Sequence, residues 1–443
     1  MKSFLIKPAQ GLEGEILLLG DKSIAHRSII IAALACGKTK IQNFPTNEDC
    51  LASLESFKKL GIKIIRNSSS NTVNVFGKGL FGLKKPKGQI CVGDSGTTLR
   101  LLLGVLAGQN FKVTLTCGRS LSQRPMLRVN APLRLMGAEI SSKLKAQNSK
   151  LEEYAPITIK GGSLEPITYR MPVASAQVKS AILLAGLYAK GVTRIIEPFR
   201  TRDHTERMLK LFGAELKLNQ NTIVIKGVHK LISPGKIFIP GDLSSASFFI
   251  VAGTIVAHSK ILIRKVSLNP SRMGIIRVLE RMGADIKLKA QSSKLKNREP
   301  LGDLLVKSSS LKGTTVKRKE IPSLIDELPV LMVAASLARG KTIFEGVDEL
   351  RVKETDRIRS MSGNLRKMGA DIKDMTVAGS ANIVIQGVKQ LKGAKVESFG
   401  DHRSAMSVAI AGLRAAGQTR IDDVSCIKKS FPDFFIQLKS LIK

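Results

Sequence analysis

Lys22 and Arg27 stand at the head of GDKSIAHRSIIIAALACGKTKI, where a small-residue turn opens a run of apolar residues. Two cations before so apolar a body admit two readings. One is an N-cap followed by solvated charges. The other is an anion site, because the first N–H groups of a helix lack partners and carry about half a positive charge. Five further stretches repeat the arrangement: GDSGTTLRLLLGVLAGQNFKVTL from Gly93, ASAQVKSAILLAGLYAKGVTRII from Ala174, GDLSSASFFIVAGTIVAHSKILI from Gly241, DELPVLMVAASLARGKTIFEG from Asp326 and GDHRSAMSVAIAGLRAAGQTRI from Gly400. Chemistry-bearing side chains gather at these mouths. The first has Lys22, Ser23 and Arg27. The second has Asp94, Ser95, Gly96, Thr97, Thr98 and Arg100, followed by Arg124 of SQRPM. The third has Ser175, Gln177 and Lys179, then Arg202 of TRDHTE. The fifth has Asp326 and Glu327, then RVKETDR (Arg351–Arg357); the sixth has His402 and Arg403, and later Lys429. Taken singly these are caps, exposed i,i+4 pairs and a helix-entry glycine. Decoration by chance would scatter over the outer faces too, whereas here the polar slot recurs, which favours the anion site.

The elements that must position these residues follow a repeat of about 75 residues, present six times. A second mark runs in phase: FKKLGIKII, LRLMGAEI, LKLFGAELKL, LERMGADIKL and LRKMGADIKD, in which Gly61, Gly137, Gly213, Gly283 and Gly369 are expected to end a helix at C′. Strand pairs such as those ending in VIKGV and VIQGV read as hairpins, with tips at Asn67–Asn71 and Gln291–Arg298. Each unit is therefore strand, helix, strand, helix, hairpin, and the sixth stops at its second helix, FPDFFIQLKSLIK. Six units suggest two α/β domains of three. The first helix of each unit is apolar on nearly all faces and should be buried. Three such helices per domain, aimed alike, would give a cleft between facing domains six helix N-termini.

The 443 residues suffice for two or three domains, and 43% hydrophobic residues can build real cores. The longest apolar runs, Phe248–Ala257 and Val330–Ala338, fall below the ~20 residues that span a bilayer. The N-terminus has no long apolar stretch, so neither a signal peptide nor a membrane partner is expected, and the location is read as cytoplasmic. Cys36, Cys50, Cys91, Cys117 and Cys426 are scattered and odd in number, which fits reduced thiols. No histidine spacing suggests a metal, and no cofactor is expected. The 71 basic and 35 acidic residues give +36, a charge that draws in anionic small molecules. A nucleic-acid-binding role is the rival from charge alone, but 4% aromatics, no Trp and no RNP-like or finger motif disfavour it.

GDKSIAHR, GDSGTTLRLL, SQRPM, SAQVKSAILLAGL, TRDHTE, IDELP, RVKETDR and GDHRSAM, in order from residue 20 to 432, resemble the signatures of the 5-enolpyruvylshikimate-3-phosphate synthase family. The resemblance implies two inverted barrel-like α/β domains of three βαβαββ units, 20–241 and 1–19 plus 242–443, with the active site in the interdomain cleft. It implies transfer of the enolpyruvyl group of phosphoenolpyruvate to the 5-hydroxyl of shikimate 3-phosphate, by addition and elimination through a tetrahedral ketal, in the shikimate pathway of aromatic amino acid biosynthesis. Ser23, Arg27, Ser175, Gln177, Arg202, Asp326 and Lys353 would bind shikimate 3-phosphate. Lys22, Gly96, Arg124, Gln177, Arg357, Arg403 and Lys429 would bind phosphoenolpyruvate. The catalytic candidates are Lys22, Asp326, Lys353 and Glu354, and the residues leave open which of the last three moves which proton. Domain closure, glyphosate competition at Gly96 and a monomeric protein complete the expectation. One departure is Asp94, where many family members carry asparagine; backbone N–H groups near Gly96 could bind instead, or Asp94 could pair with an arginine. The sister enolpyruvyl transferase acting on UDP-N-acetylglucosamine is the nearer rival, since Cys117 lies shortly before Arg124. Its glycine-rich cysteine loop is absent, so Cys117 is read as structural.

Overall fold

The computed structural model describes residues 3–147, 150–228, 230–291, 299–377 and 379–443; most of the second hairpin tip, 292–298, lies outside them. The helices in chain order are α1 (Lys22–Leu34), α2 (Glu48–Lys59), α3 (Gly96–Leu106), α4 (Leu127–Leu135), α5 (Ala176–Gly186), α6 (His204–Leu211), α7 (Leu243–Ile255), α8 (Gly274–Arg281), α9 (Leu328–Ser336), α10 (Arg357–Lys367), α11 (His402–Gly412) and α12 (Phe434–Leu441). None is long and apolar enough to cross a membrane, among the described residues. The odd-numbered helices are the apolar ones and are buried along almost their whole length. Each side chain of Leu or Ile size removed from water there contributes roughly 1.5–3 kcal/mol.

Contacts divide the chain into two compact units: Gly20–Ile239 with Lys294–Glu299, and Met1–Leu19 with Pro240–Ser293 and Pro300–Lys443. We call these the N-terminal and C-terminal units. In the N-terminal unit α3 packs on α5 and α1; in the C-terminal unit α9 packs on α7 and α11. Close approach explains a helix-interior glycine: a Cβ on Gly104 of α3 would lie 2.3 Å from the Ala181 carbonyl oxygen of α5.

Every repeat builds one small sheet by the same rule. A leading strand runs parallel to the strand after the buried helix, and in the first five repeats that strand pairs antiparallel with the hairpin that follows α2, α4, α6, α8 or α10. The second repeat shows it with Ile90–Cys91 beside Lys112–Thr116, then the hairpin Glu139–Gln147 and Lys150–Lys160. All five marked glycines adopt positive φ, from +84° at Gly369 to +107° at Gly137. Each helix closes with a 6→1 bond, Ile62 N–H to Phe57 carbonyl in the first and Ala214 N–H to Leu209 carbonyl in the third. That is the Schellman geometry, which only glycine adopts without strain. Asn67–Asn71 forms the tip of the first hairpin.

Two strands exchange places between the units. Glu13–Leu17 leads into α1, yet it pairs in parallel with Lys260–Ser267, the strand after α7. Lys236–Phe238 leads into α7, yet it pairs in parallel with Ala35–Gln42, the strand after α1. The sixth repeat has no hairpin of its own; Phe4–Ile6 fills the position, antiparallel to Thr419–Ile421.

Candidate functional site

In the N-terminal unit the starts of α1, α3 and α5 are linked by side chains. Asp21 caps α1 by accepting from the Ile24 N–H at 2.9 Å. Lys22, the first residue of the helix, forms an ion pair with Asp49 in the first turn of α2. Arg27, one turn on, is buried. Its Nε donates to Thr205 at 2.6 Å, Nη2 to Ser180 at 2.8 Å and Nη1 to the Ser23 carbonyl at 2.8 Å. Burial pulls this guanidinium down to about 10, opposed by Glu206 and helped by Arg202, which lies just before α6. Even so it remains cationic at neutral pH. His26 beside it is buried against Ser53 at 2.7 Å, and burial with Lys22 and Arg27 nearby keeps the imidazole neutral.

Ser95 caps α3, and Gly96 opens it. A Cβ at Gly96 would lie 3.0 Å from Arg124 Nη1 and 3.2 Å from Arg100 Nη1, so both guanidinium groups rest over that helix start. Arg100 donates to Gln177 Oε1 at 2.6 Å, and Gln177 Nε2 donates to Thr97 at 2.9 Å. The amide of α5 is thereby held to α3. Ser175 caps α5. Asp94 accepts from the Leu121 N–H at 3.1 Å, so its carboxylate joins the two loops that carry Gly96 and Arg124. Cys117 is pushed up to about 11 by burial and by Asp94, which makes it a neutral thiol, the state expected of a structural one. Lys179 is no free cation at a helix mouth: its side chain is 1% exposed, 2.7 Å from Glu206 and 3.2 Å from Glu197.

In the C-terminal unit the corresponding centre is Arg357. It opens α10 with its side chain buried, and Nε meets Asp401 at 2.7 Å, Nη2 meets Glu354 at 2.6 Å and Nη1 meets Asp326 at 3.4 Å. Burial disfavours its charge, but Asp401, Glu354 and Asp326 more than offset that and hold it above the ordinary arginine range. RVKETDR is mostly a turn rather than an exposed helix: Asp356 caps α10 at Ile358 and Arg359, and Arg351 pairs with Asp356 at 3.0 Å. Lys353 therefore lies on the same turn as Glu354 and Arg357. Burial pushes Lys353 down to about 8, against the pull of Asp326 and Glu349. Asp401 caps α11 by accepting from the Arg403 N–H at 2.7 Å. Arg403 itself is 8% exposed. Lys429 ends the short helical turn Ser425–Lys429, which packs on α11. Glu327 is structural: it caps a buried cluster with Ser244 and with Arg272 at 3.3 Å.

The predicted residues thus fall into two sets. Lys22, Ser23, Arg27, Gly96, Arg124, Ser175, Gln177 and Arg202 belong to the N-terminal unit, and Asp326, Lys353, Glu354, Arg357, Arg403 and Lys429 to the C-terminal one. Sequence reasoning missed Asp49, Asp401, Ser180 and Thr205. Asp401 stood in GDHRSAM, where its spacing before Arg403 marks a cap; Asp49 looks like any acid in a first helical turn.

Cationic helix starts, beside carboxylates and a lysine that burial pushes down to about 8, suit a class of enzyme that binds multiply charged anions and moves protons. Comparison with known proteins narrows that class. The family model described as EPSP synthase (3-phosphoshikimate 1-carboxyvinyltransferase) matches residues 6–438. The 3-phosphoshikimate 1-carboxyvinyltransferase of Petrotoga mobilis is 48% identical over 97% of both chains, and that of Desulforamulus reducens is 45% identical over 99% of both. A solved EPSP synthase from Acinetobacter baumannii superimposes with a TM-score of 0.84 at 40% identity, covering 100% of this chain and 98% of the other. The chain belongs to the EPSP synthase family of transferases.

Proposed function

We propose that the protein transfers the enolpyruvyl group of phosphoenolpyruvate to the 5-hydroxyl of shikimate 3-phosphate and releases phosphate. The observation that carries this reading is the grouping of Asp326, Glu354 and Lys353 around the buried Arg357. Addition needs a proton taken from the 5-hydroxyl and one given to the methylene carbon as the new C–O bond forms. Elimination then returns the methyl proton as the C–O bond to phosphate breaks. Asp326, with Lys353 beside it, serves the hydroxyl, and Glu354 serves the carbon. Ser23, Arg27, Ser175, Gln177 and Arg202 hold shikimate 3-phosphate. Lys22, Arg124, Gln177, Arg357, Arg403 and Lys429 hold phosphoenolpyruvate, with Gly96 leaving room for it. Arg403, on the first turn of α11 and 8% exposed, suits an anionic ligand. The protein acts as a cytoplasmic monomer without a cofactor.

The test is phosphate release from the two substrates by the purified chain. Release should need both, and Asp326→Ala should lower kcat about 10²- to 10⁴-fold, the usual worth of acid–base assistance. Lys22→Met should abolish turnover at ordinary phosphoenolpyruvate concentrations. Turnover with UDP-N-acetylglucosamine instead would replace the acceptor. Gel filtration checks the monomer.

A further inference from the structure

We infer that Lys179, Glu197 and Glu206 form a buried positioning device that sets the groups for shikimate 3-phosphate in register; the inference rests on the assignment of those groups made above. The three side chains are at most 1% exposed. Burying three charges costs several kcal/mol before their attraction is counted, and apolar residues of similar volume often stabilise a core as well or better. The trio therefore calls for a role beyond packing.

Its contacts supply one. Lys179 lies on α5, two residues past Gln177 and four past Ser175. Its Nζ approaches the Thr201 carbonyl at 3.5 Å, and Glu197 accepts both the N–H and the hydroxyl of Thr201, the residue before Arg202. Its other partner, Glu206, lies on α6 beside Thr205. Thr205 accepts from Arg27 Nε and bonds Ser180 of α5 at 2.7 Å. One ammonium is thus tied to α5, to the loop of Arg202 and to the helix that holds Arg27. Those are the elements that carry or hold the N-terminal-unit groups for shikimate 3-phosphate. Of the groups assigned to phosphoenolpyruvate, Gly96 and Arg124 lie on other segments, and Gln177, which serves both substrates, shares α5 with Lys179. Lys179 is a positioning residue, since it acts through these neighbours.

The test is steady-state kinetics of Lys179→Met with unfolding measured in parallel. KM for shikimate 3-phosphate should rise about 10- to 100-fold, the scale on which small misplacements act. KM for phosphoenolpyruvate, which shares only Gln177 with this device, and kcat should change less. Lys179→Met leaves two buried carboxylates without their cation, so a lower unfolding midpoint is also expected. The double variant Lys179→Met with Glu206→Gln should recover the midpoint while KM for shikimate 3-phosphate stays high. If Lys179→Met does not fold, Glu197→Gln keeps an acceptor for Thr201 but loses the charge facing Lys179, and should raise the same KM. Unchanged KM values, or a double variant that recovers KM together with stability, would overturn the inference. A wild-type chain inactive with both substrates would overturn the assignment beneath it, a result distinct from active variants with wild-type KM.

Discussion

At the scale of single residues, geometry around Gly96 makes a size prediction. A methyl group there would meet Arg124 Nη1 at 3.0 Å. The contact is with the far end of a flexible side chain, so the fold tolerates it and the guanidinium gives way by a few tenths of an ångström. Glyphosate should inhibit the wild type in competition with phosphoenolpyruvate. Gly96→Ala should weaken that inhibition more than it raises KM for phosphoenolpyruvate; equal changes in both would show that Arg124 does not distinguish the two. Lys353 makes a pH prediction. Its folded value of about 8 lies below the ordinary 10.5, so the charged form is the disfavoured one. Below pH 8 the ammonium is present in the free enzyme and, in the role proposed for it, would help hold shikimate 3-phosphate. Above it the charge is lost, and kcat/KM should fall with a limb near pH 8. Lys353→Arg should move that limb upward, which a pH–rate profile checks. The same shift works the other way on stability: the burial cost is full at neutral pH and is relieved as pH rises from about 8 to 10.5. Both positions were legible as motif letters. Lys179 was misread because a lysine at a helix mouth and a lysine sunk between Glu197 and Glu206 look identical until their partners, 18 and 27 residues on, are placed.

At the scale of elements, the helix ends were the most legible feature. A glycine after an amphipathic run has one common use, and Gly213 shows it with φ +91° and open space around its Cα. Gly213→Ala should therefore cost about 1–2 kcal/mol through backbone conformation alone. Gly162 also has open space but no positive φ, so Gly162→Ala should be neutral or slightly stabilising. Urea midpoints of the two variants check the contrast, and equal losses would contradict it. The buried helices were legible too, because a helix apolar on all sides has nowhere else to go. The partners of their leading strands were not. Glu13–Leu17 and Lys236–Phe238 each precede a buried helix of the same kind. Either satisfies the same row of backbone groups, and nothing local distinguishes them.

At the scale of the molecule, a net charge of +36 should speed the arrival of anionic substrates over distances of about 10 Å, the Debye length at 0.1 M salt. The expected outcome is a kcat/KM that falls steadily as ionic strength rises, measured with an inert salt; a flat response would confine the charge to a solvating role. The strand exchange has a different kind of consequence. The long segments of the chain change unit after Leu19 and after Ile239, and a short stretch ending at Glu299 returns to the N-terminal unit. Both ends of the polypeptide belong to the C-terminal unit: Leu12 bridges Ile442, and the Lys443 N–H donates to the Gly11 carbonyl at 3.1 Å. A circular permutant that begins at Gly20, with Lys443 joined to Met1 through a short linker, would gather the strands and helices of each unit into one continuous segment, with only the short stretch ending at Glu299 still returning to the N-terminal unit. The same rearranged gene, cut after Ile239, would encode the two units as separate polypeptides, each carrying all of its own strands.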